Sequence, residues 1–191
     1  PCAALQVAVE LLNQTEGYSN YDKFQQGAGM ITTVIRKARA HVAQRALDFA
    51  EEYKNDSVIY TMGSGAGYGA AYMESICIFM EMQWIHSGTI HTGEFFHGPF
   101  EVTDSNTPFV IQVPEGSREL DERCLKFLHT YAKRIEVLDA KELGLSVIDP
   151  AVVDYFNHSL FNNVYPIYNH ALAETRQHPL TTRRYMWKVA Y

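Results

Sequence analysis

Residues 57–69 read SVIYTMGSGAGYG, and residues 70–84 continue AAYMESICIFMEMQW. Ser57–Met62 is a short β-rich run, the pattern of a strand buried on both faces. Gly63–Gly69 reads as a glycine-rich turn, and a helix follows from about Ala70 to Trp84. Residues 85–92 look extended. Phe109–Val113 (FVIQV) and Ile135–Leu138 (IEVL) repeat the strand pattern. Between them, Asp121–Lys133 reads as a helix with Leu125, Leu128 and Ala132 on one side. Short apolar strands that alternate with helices predict a mostly parallel sheet with right-handed crossovers. The fold class is therefore α/β, a three-layer α/β/α sandwich with flanking helices.

Outward from that unit, residues 3–14 read as a helix with Leu5, Val9 and Leu12 on its apolar side. A polar, glycine-containing connector spans residues 13–29. Residues 30–54 read as one long helix, with Ile31, Val34, Ile35, Ala38, Val42, Ala46 and Phe49 at spacings of three and four. Pro150–Glu174 is mostly helical and aromatic, and Pro166 is expected to break or kink it. Residues 57–175 form the sandwich. Residues 1–54 either pack on it or belong to a preceding unit.

Composition bounds the partners. The chain has 191 residues, 47% of them hydrophobic, and a formal net charge of −6. That length suits about one domain with a sizeable core, and the apolar content excludes disorder as the main state. The acidic balance argues against nucleic acid as principal partner, and no apolar run approaches the roughly 18 residues of a membrane span. Cys2, Cys77 and Cys124 form no CxxC pair, which fits a reducing, cytoplasmic setting. The chain begins with Pro1, so either residues precede it or an initiator Met has been trimmed. Its first helix lacks the basic lead-in of a secretory signal. At the other end, Arg176, Arg183, Arg184 and Lys188 stand among Tyr185, Trp187 and Tyr191. The rings are expected to dock this tail, because burial stabilises each by roughly 1.5–3 kcal/mol.

Three features carry chemistry. A strand, a turn containing Gly63, Ser64, Gly65 and Gly67, and a helix together gather backbone N–H groups where an anion would be favoured. The turn lacks the Lys-Ser/Thr of a P-loop and a clean GxGxxG. Its alternative role is to pack the helix tightly on the sheet. On the helix, Met73, Ile76, Cys77, Met80 and Trp84 form an apolar stripe that Glu81 borders, with Glu74 two turns earlier on the same side. A desolvated carboxylate there would titrate in the range of a general acid or base. The alternative is a partly exposed surface glutamate. Finally, Gly93 and Gly98-Pro99 bracket a turn that presents Glu94 and His97, a histidine suited to proton transfer unless it is simply a surface-loop residue. His86 and His91 match no standard zinc spacing, so no metal is expected, and Cys77 reads as core.

The stretch from Ile59 to Pro99 resembles the second sugar-isomerase (SIS) domain of the phosphosugar aminotransferase and deglycase family. In the isomerase half of glutamine–fructose-6-phosphate aminotransferase, a similar strand–helix unit ends in a Gly-Glu-x-x-His-Gly-Pro turn. Gly93, Glu94, His97, Gly98 and Pro99 match it, and Glu81 stands sixteen residues before His97, as the family's glutamate does. Pro108-Phe109 and the Arg183-Arg184-Tyr185 tail ending in Tyr191 resemble the fructosamine-6-phosphate deglycases. The aminotransferase carries lysines where this chain has Ile78 and Met80, and its C-terminal catalytic lysine stands further from the end than Lys188. Both differences favour a deglycase.

The resemblance implies a flavodoxin-like SIS domain over residues 30–191, with residues 1–29 as the last helix and connector of a first SIS domain. It implies that a ketosamine 6-phosphate is cleaved to glucose 6-phosphate and an amino acid, without metal or redox cofactor. Glu81 would shuttle the proton and His97, from a neighbouring subunit of a homodimer, would open the ring. Glu94 and Glu74 would support them, and Lys188 and Tyr191 would contribute from the tail. The rival readings are a phosphosugar aminotransferase or isomerase, a non-catalytic phosphosugar sensor, and a dimerisation module.

Overall fold

A computed structural model describes residues 2–190. Helices α1 (Cys2–Glu16), α2 (Tyr21–His41) and α3 (Ala43–Tyr53) precede strand β1 (Val58–Gly63). Helix α4 (Gly65–Met73) continues directly into a π-helical segment (Glu74–Met82), which leads to β2 (His86–His91). Two short 3-10 turns, Phe95–His97 and Pro99–Val102, lead to β3 (Phe109–Val113), α5 (Glu119–Tyr131) and β4 (Ile135–Asp139). After two more 3-10 turns, α6 (Asn157–Thr175) closes the helical part.

The four strands are all parallel in the order β2-β1-β3-β4. Alternation along the strands divides the core into two. Ile59, Val110 and Leu138 face α3, α4, the π segment and α6, where Phe79, Phe156, Phe161 and Tyr165 are fully buried. Met62, Phe109, Ile111 and Val113 face the other way, against Phe95, Cys124 and Leu128. The three expected layers are present.

Several local expectations give way to packing. Helix α2 begins at Tyr21 inside the stretch read as a polar connector, and it buries Phe24 and Gly27. A Cβ at Gly27 would lie 2.8 Å from the Phe156 ring and 2.9 Å from Ile148, so this glycine serves close helix approach. The single helix expected over residues 30–54 is interrupted at Val42, although Val42 N–H still bonds Ala38 and its carbonyl accepts from Ala46 N–H. Helix α6 runs through Pro166 rather than ending there. Its neighbours Val164, Tyr165, Tyr168 and Asn169 are buried, and that packing holds a residue that costs an isolated helix about 3 kcal/mol.

The glycine-rich stretch is also mostly helix. Only Gly63 and Ser64 lie outside α4, which begins at Gly65 with φ +49°. A Cβ at Gly67 would meet Phe161 at 3.4 Å, and one at Gly69 would meet His158 at 3.4 Å, so these glycines let α4 lie close on α6.

Gln112 of β3 then interrupts the ladder of α4. Its Nε2 donates to Gly67 O at 2.9 Å, and its Oε1 accepts from Ala71 N–H at 2.8 Å and Tyr165 Oη–H at 2.7 Å. The side-chain amide thus stands between the two backbone groups that an α-helix would join directly. Three residues after Ala71 the helix widens to π geometry. The wider turn changes which residues share a face. Seven residues make about two turns of an α-helix but only roughly one and a half in π geometry.

The expected stripe consequently rotates outward. Met80 and Trp84 are exposed, Met73, Ile76 and Cys77 half-buried, and Glu74, Ser75, Phe79 and Gln83 take the buried positions. Glu74 and Glu81 no longer share a side.

Candidate active site

Glu81 occupies the last turn of the π segment. It lines a cleft of about 480 Å³ with Met80, Trp84, His86, Arg183, Arg184 and Tyr185 among its walls. Its carboxylate Oε1 lies 2.9 Å from Arg183 Nη2, and its side chain is 26% exposed. The carboxylate is therefore paired and reachable from solvent.

The opposite wall is the tail. Arg176 donates to Lys54 O at 2.6 Å and to Gln83 O at 3.2 Å, and Gln83 Nε2 donates to His178 O at 2.8 Å. Beyond that anchor, the Arg184 guanidinium lies 4.2 Å over the Trp84 ring, whose other contact is the His178 ring at 4.6 Å. The tail docks as expected, but through arginines. Tyr185 and Trp187 remain 64% and 80% exposed, with the Arg184 guanidinium over Trp84 and that of Arg183 5.7 Å over Trp187. Lys188 turns back to donate to Arg183 O. Tyr191 lies outside the described residues.

Glu74 is the carboxyl group that burial alters. It is 1% exposed, and desolvation pushes it up to about 8 against the opposing hydrogen bond from Asn169 Nδ2 at 3.1 Å. It sits between the π segment and α6, apart from the Glu81 cleft lining.

His97 ends the first 3-10 turn after β2. Its Nδ1 is 3.1 Å from Glu94 Oε2, and both side chains are about 70% exposed. Gly98, at φ +139°, turns the chain immediately afterwards, a conformation reserved for glycine. Glu81 shares its cleft with His86 at the start of β2, whereas His97 lies beyond His91 at its end. A six-residue strand, roughly 17–20 Å long, separates the two ends, so one protomer does not unite Glu81 with His97.

The glycine turn is built into the domain. Ser64 Oγ donates to Asp121 Oδ2 at 2.6 Å, and Thr92 Oγ1 donates to Asp121 Oδ1 at 2.8 Å. Asp121 is fully buried, and burial raises its carboxyl pKa. Asp121 thereby ties the ends of β1 and β2 to the first turn of α5. The sequence gives no sign of this contact, which spans 57 residues. It likewise gives no sign that Arg183 and Arg184 meet the Glu81 region. No group of three or more His, Cys, Asp or Glu among the described residues is placed to hold a metal ion.

No protein-family model matches the chain. It is 44% identical over 187 residues to the fructosamine deglycase FrlB of Bacillus subtilis, covering 97% of this chain and 57% of that protein. It is 33% identical over 88 residues to the fructoselysine 6-phosphate deglycase of Escherichia coli K12, covering 46% of this chain and 26% of that enzyme. The chain thus spans little more than half the length of the first of these relatives, and its matched stretch covers a quarter of the second. Among solved structures, a protein of Salmonella typhimurium LT2 assigned as a phosphosugar isomerase superposes with TM-score 0.92 at 48% identity, over 96% of this chain and 57% of that one. The C-terminal domain of glucosamine-fructose-6-phosphate aminotransferase from Francisella tularensis superposes with TM-score 0.71 at 16% identity, over 90% of this chain and 51% of that one, a likeness of fold alone. The chain is thus a homologue of the fructosamine deglycases and carries the SIS fold of the phosphosugar isomerases.

Proposed function

We propose that this chain is the C-terminal SIS domain of a fructosamine-6-phosphate deglycase, with residues 1–29 the last helix and connector of a preceding SIS domain. The observation that carries this reading is a partly exposed carboxylate, Glu81, held in a cleft of a chain 44% identical to a fructosamine deglycase. The substrate is a ketosamine 6-phosphate, with an amine on C1 and a ketone at C2. His97 assists ring opening. Glu81 removes a proton from C1 and returns it to C2, which moves the carbonyl oxidation level to C1 as an imine. Water adds to the imine, the C1–N bond breaks, and glucose 6-phosphate and the amino acid leave. Proton transfer by one carboxylate on one face suffices for the isomerisation.

His97 is exposed and stands at the far end of β2 from Glu81, which supports its acting in the cleft of a second subunit. A homodimer follows from that assignment. Ser64 is committed to Asp121, which supports phosphate binding by residues outside the glycine turn. Three free thiols fit a cytoplasmic enzyme acting on a sugar phosphate.

The test is Glu81→Gln in the full-length protein, assayed by release of glucose 6-phosphate from fructosamine 6-phosphates. Turnover is expected to fall by about 10²–10⁴-fold. Activity within a few-fold of the parent protein overturns the assignment.

A further inference from the structure

We propose that Arg183 is the positioning residue for Glu81, so that the C-terminal tail sets the bearing of the proton-transfer group. This rests on Glu81 being that group. Glu81 lies in the last turn of a helical run from Gly65 to Met82, where backbone carbonyls gather negative charge and disfavour a carboxylate. That turn contains no basic residue. The compensating cation comes from 102 positions away in sequence.

Arg183 is fixed independently of Glu81. Its Nη1 donates to Leu180 O at 2.7 Å and to Thr182 O at 2.8 Å, both in the tail. Its Nη2 then meets Glu81 at 2.9 Å, with the arginine side chain only 10% exposed. A guanidinium is a planar fork, so two backbone acceptors on one nitrogen orient the other. The tail in turn is anchored at Gln83, two residues after Glu81, through Arg176 and His178. Carboxylate and guanidinium are thus referenced to the same short piece of chain.

A further feature distinguishes this pair from an incidental surface ion pair. Arg183 also lines a second groove, of about 470 Å³, with Ile78, Met82, Asn169 and Trp187. It lines both that groove and the Glu81 cleft.

The experiment compares Arg183→Gln, Arg183→Lys and Glu81→Gln in the full-length protein, with kcat and KM measured separately on a fructosamine 6-phosphate. Positioning predicts that Arg183→Gln lowers kcat by about 10–100-fold while KM moves less than about threefold. Arg183→Lys should recover part of the loss. In a Glu81→Gln background, Arg183→Gln should add little further loss, because the residue acts through Glu81. A loss confined to KM would make Arg183 a substrate contact and overturn the proposal, as would kcat within threefold of the parent. Should Arg183→Gln fail to fold, Arg183→Lys decides: a kcat reduced about threefold or more at unchanged KM supports positioning, and a parental kcat makes Arg183 a folding residue only. If Glu81→Gln itself retains activity, the reading of Glu81 fails and takes this inference with it. If only Arg183→Gln retains activity, the inference fails alone.

Discussion

Asn169 donates its Nδ2–H to Glu74 Oε2 at 3.1 Å, bridging α6 and the first residue of the π segment across a region with no solvent access to the carboxyl. The sign of the resulting pH dependence follows from linkage. Burial raises the folded-state pKa of Glu74 from 4.5 to about 8, so the folded protein binds more protons than the unfolded chain between those values. The contribution to stability is intact below pH 4.5 and is lost as pH rises toward 8. Glu74→Gln should therefore remove a decline in stability between pH 5 and 8 and raise Tm at pH 8 by several degrees, at roughly 2–4 °C per kcal/mol. Thermal unfolding of parent and variant at pH 5 and pH 8 measures it. A parallel pH response in the two proteins would refute the assignment.

Glu81 and His97 at opposite ends of β2 make a separate prediction about subunits. Glu81→Gln and His97→Asn are each expected to lose at least about 10²-fold in turnover. Mixed subunits unfolded and refolded together should regain activity, because some shared sites then hold an intact Glu81 from one chain and an intact His97 from the other. Mixtures no more active than either variant alone would show that the two groups do not work in a shared site.

Gln112→Leu removes the amide that stands between Gly67 O and Ala71 N, and deprives the buried Tyr165 hydroxyl of its acceptor. A loss of about 1–3 kcal/mol is expected in urea unfolding. Stability equal to the parent would mean that α4 closes its own ladder at no cost.

Gly27→Ala places a methyl group 2.8 Å from Phe156 and 2.9 Å from Ile148. Helix propensity alone would favour alanine by up to about 1 kcal/mol. Overpacking against two buried side chains should outweigh it, giving a net destabilisation of about 1–3 kcal/mol by the same measurement.

Strands β1, β3 and β4 were legible in the sequence because each is a short, largely apolar run with its own boundaries, whereas β2, HSGTIH, is mostly polar and reads only as extended. FVIQV at 109–113 is a strand end to end, and its one polar residue, Gln112, is the one that meets α4. The Glu81 to His97 spacing and the turn around Gly98 were legible as well, because both depend on local order. What escaped was set by distant partners. Gly27 hid the start of α2, since its reason is the Phe156 ring 129 residues away. The apolar stripe escaped because a period of 3.6 does not hold over Glu74–Met82, which is wound in π geometry. Asp121 and Arg183 carried no local sign at all, since each earns its place through a contact that only the closed fold creates.

The widened segment Glu74–Met82 has a consequence for how such a chain can change over time. Rewinding the same residues as an ordinary α-helix would swing Glu81 by roughly a third of a turn relative to Glu74. Glu81 would face away from the tail although no functional residue had been replaced. The bearing of that carboxylate is thus recorded in how the segment is wound as much as in the identity of the residue that carries it.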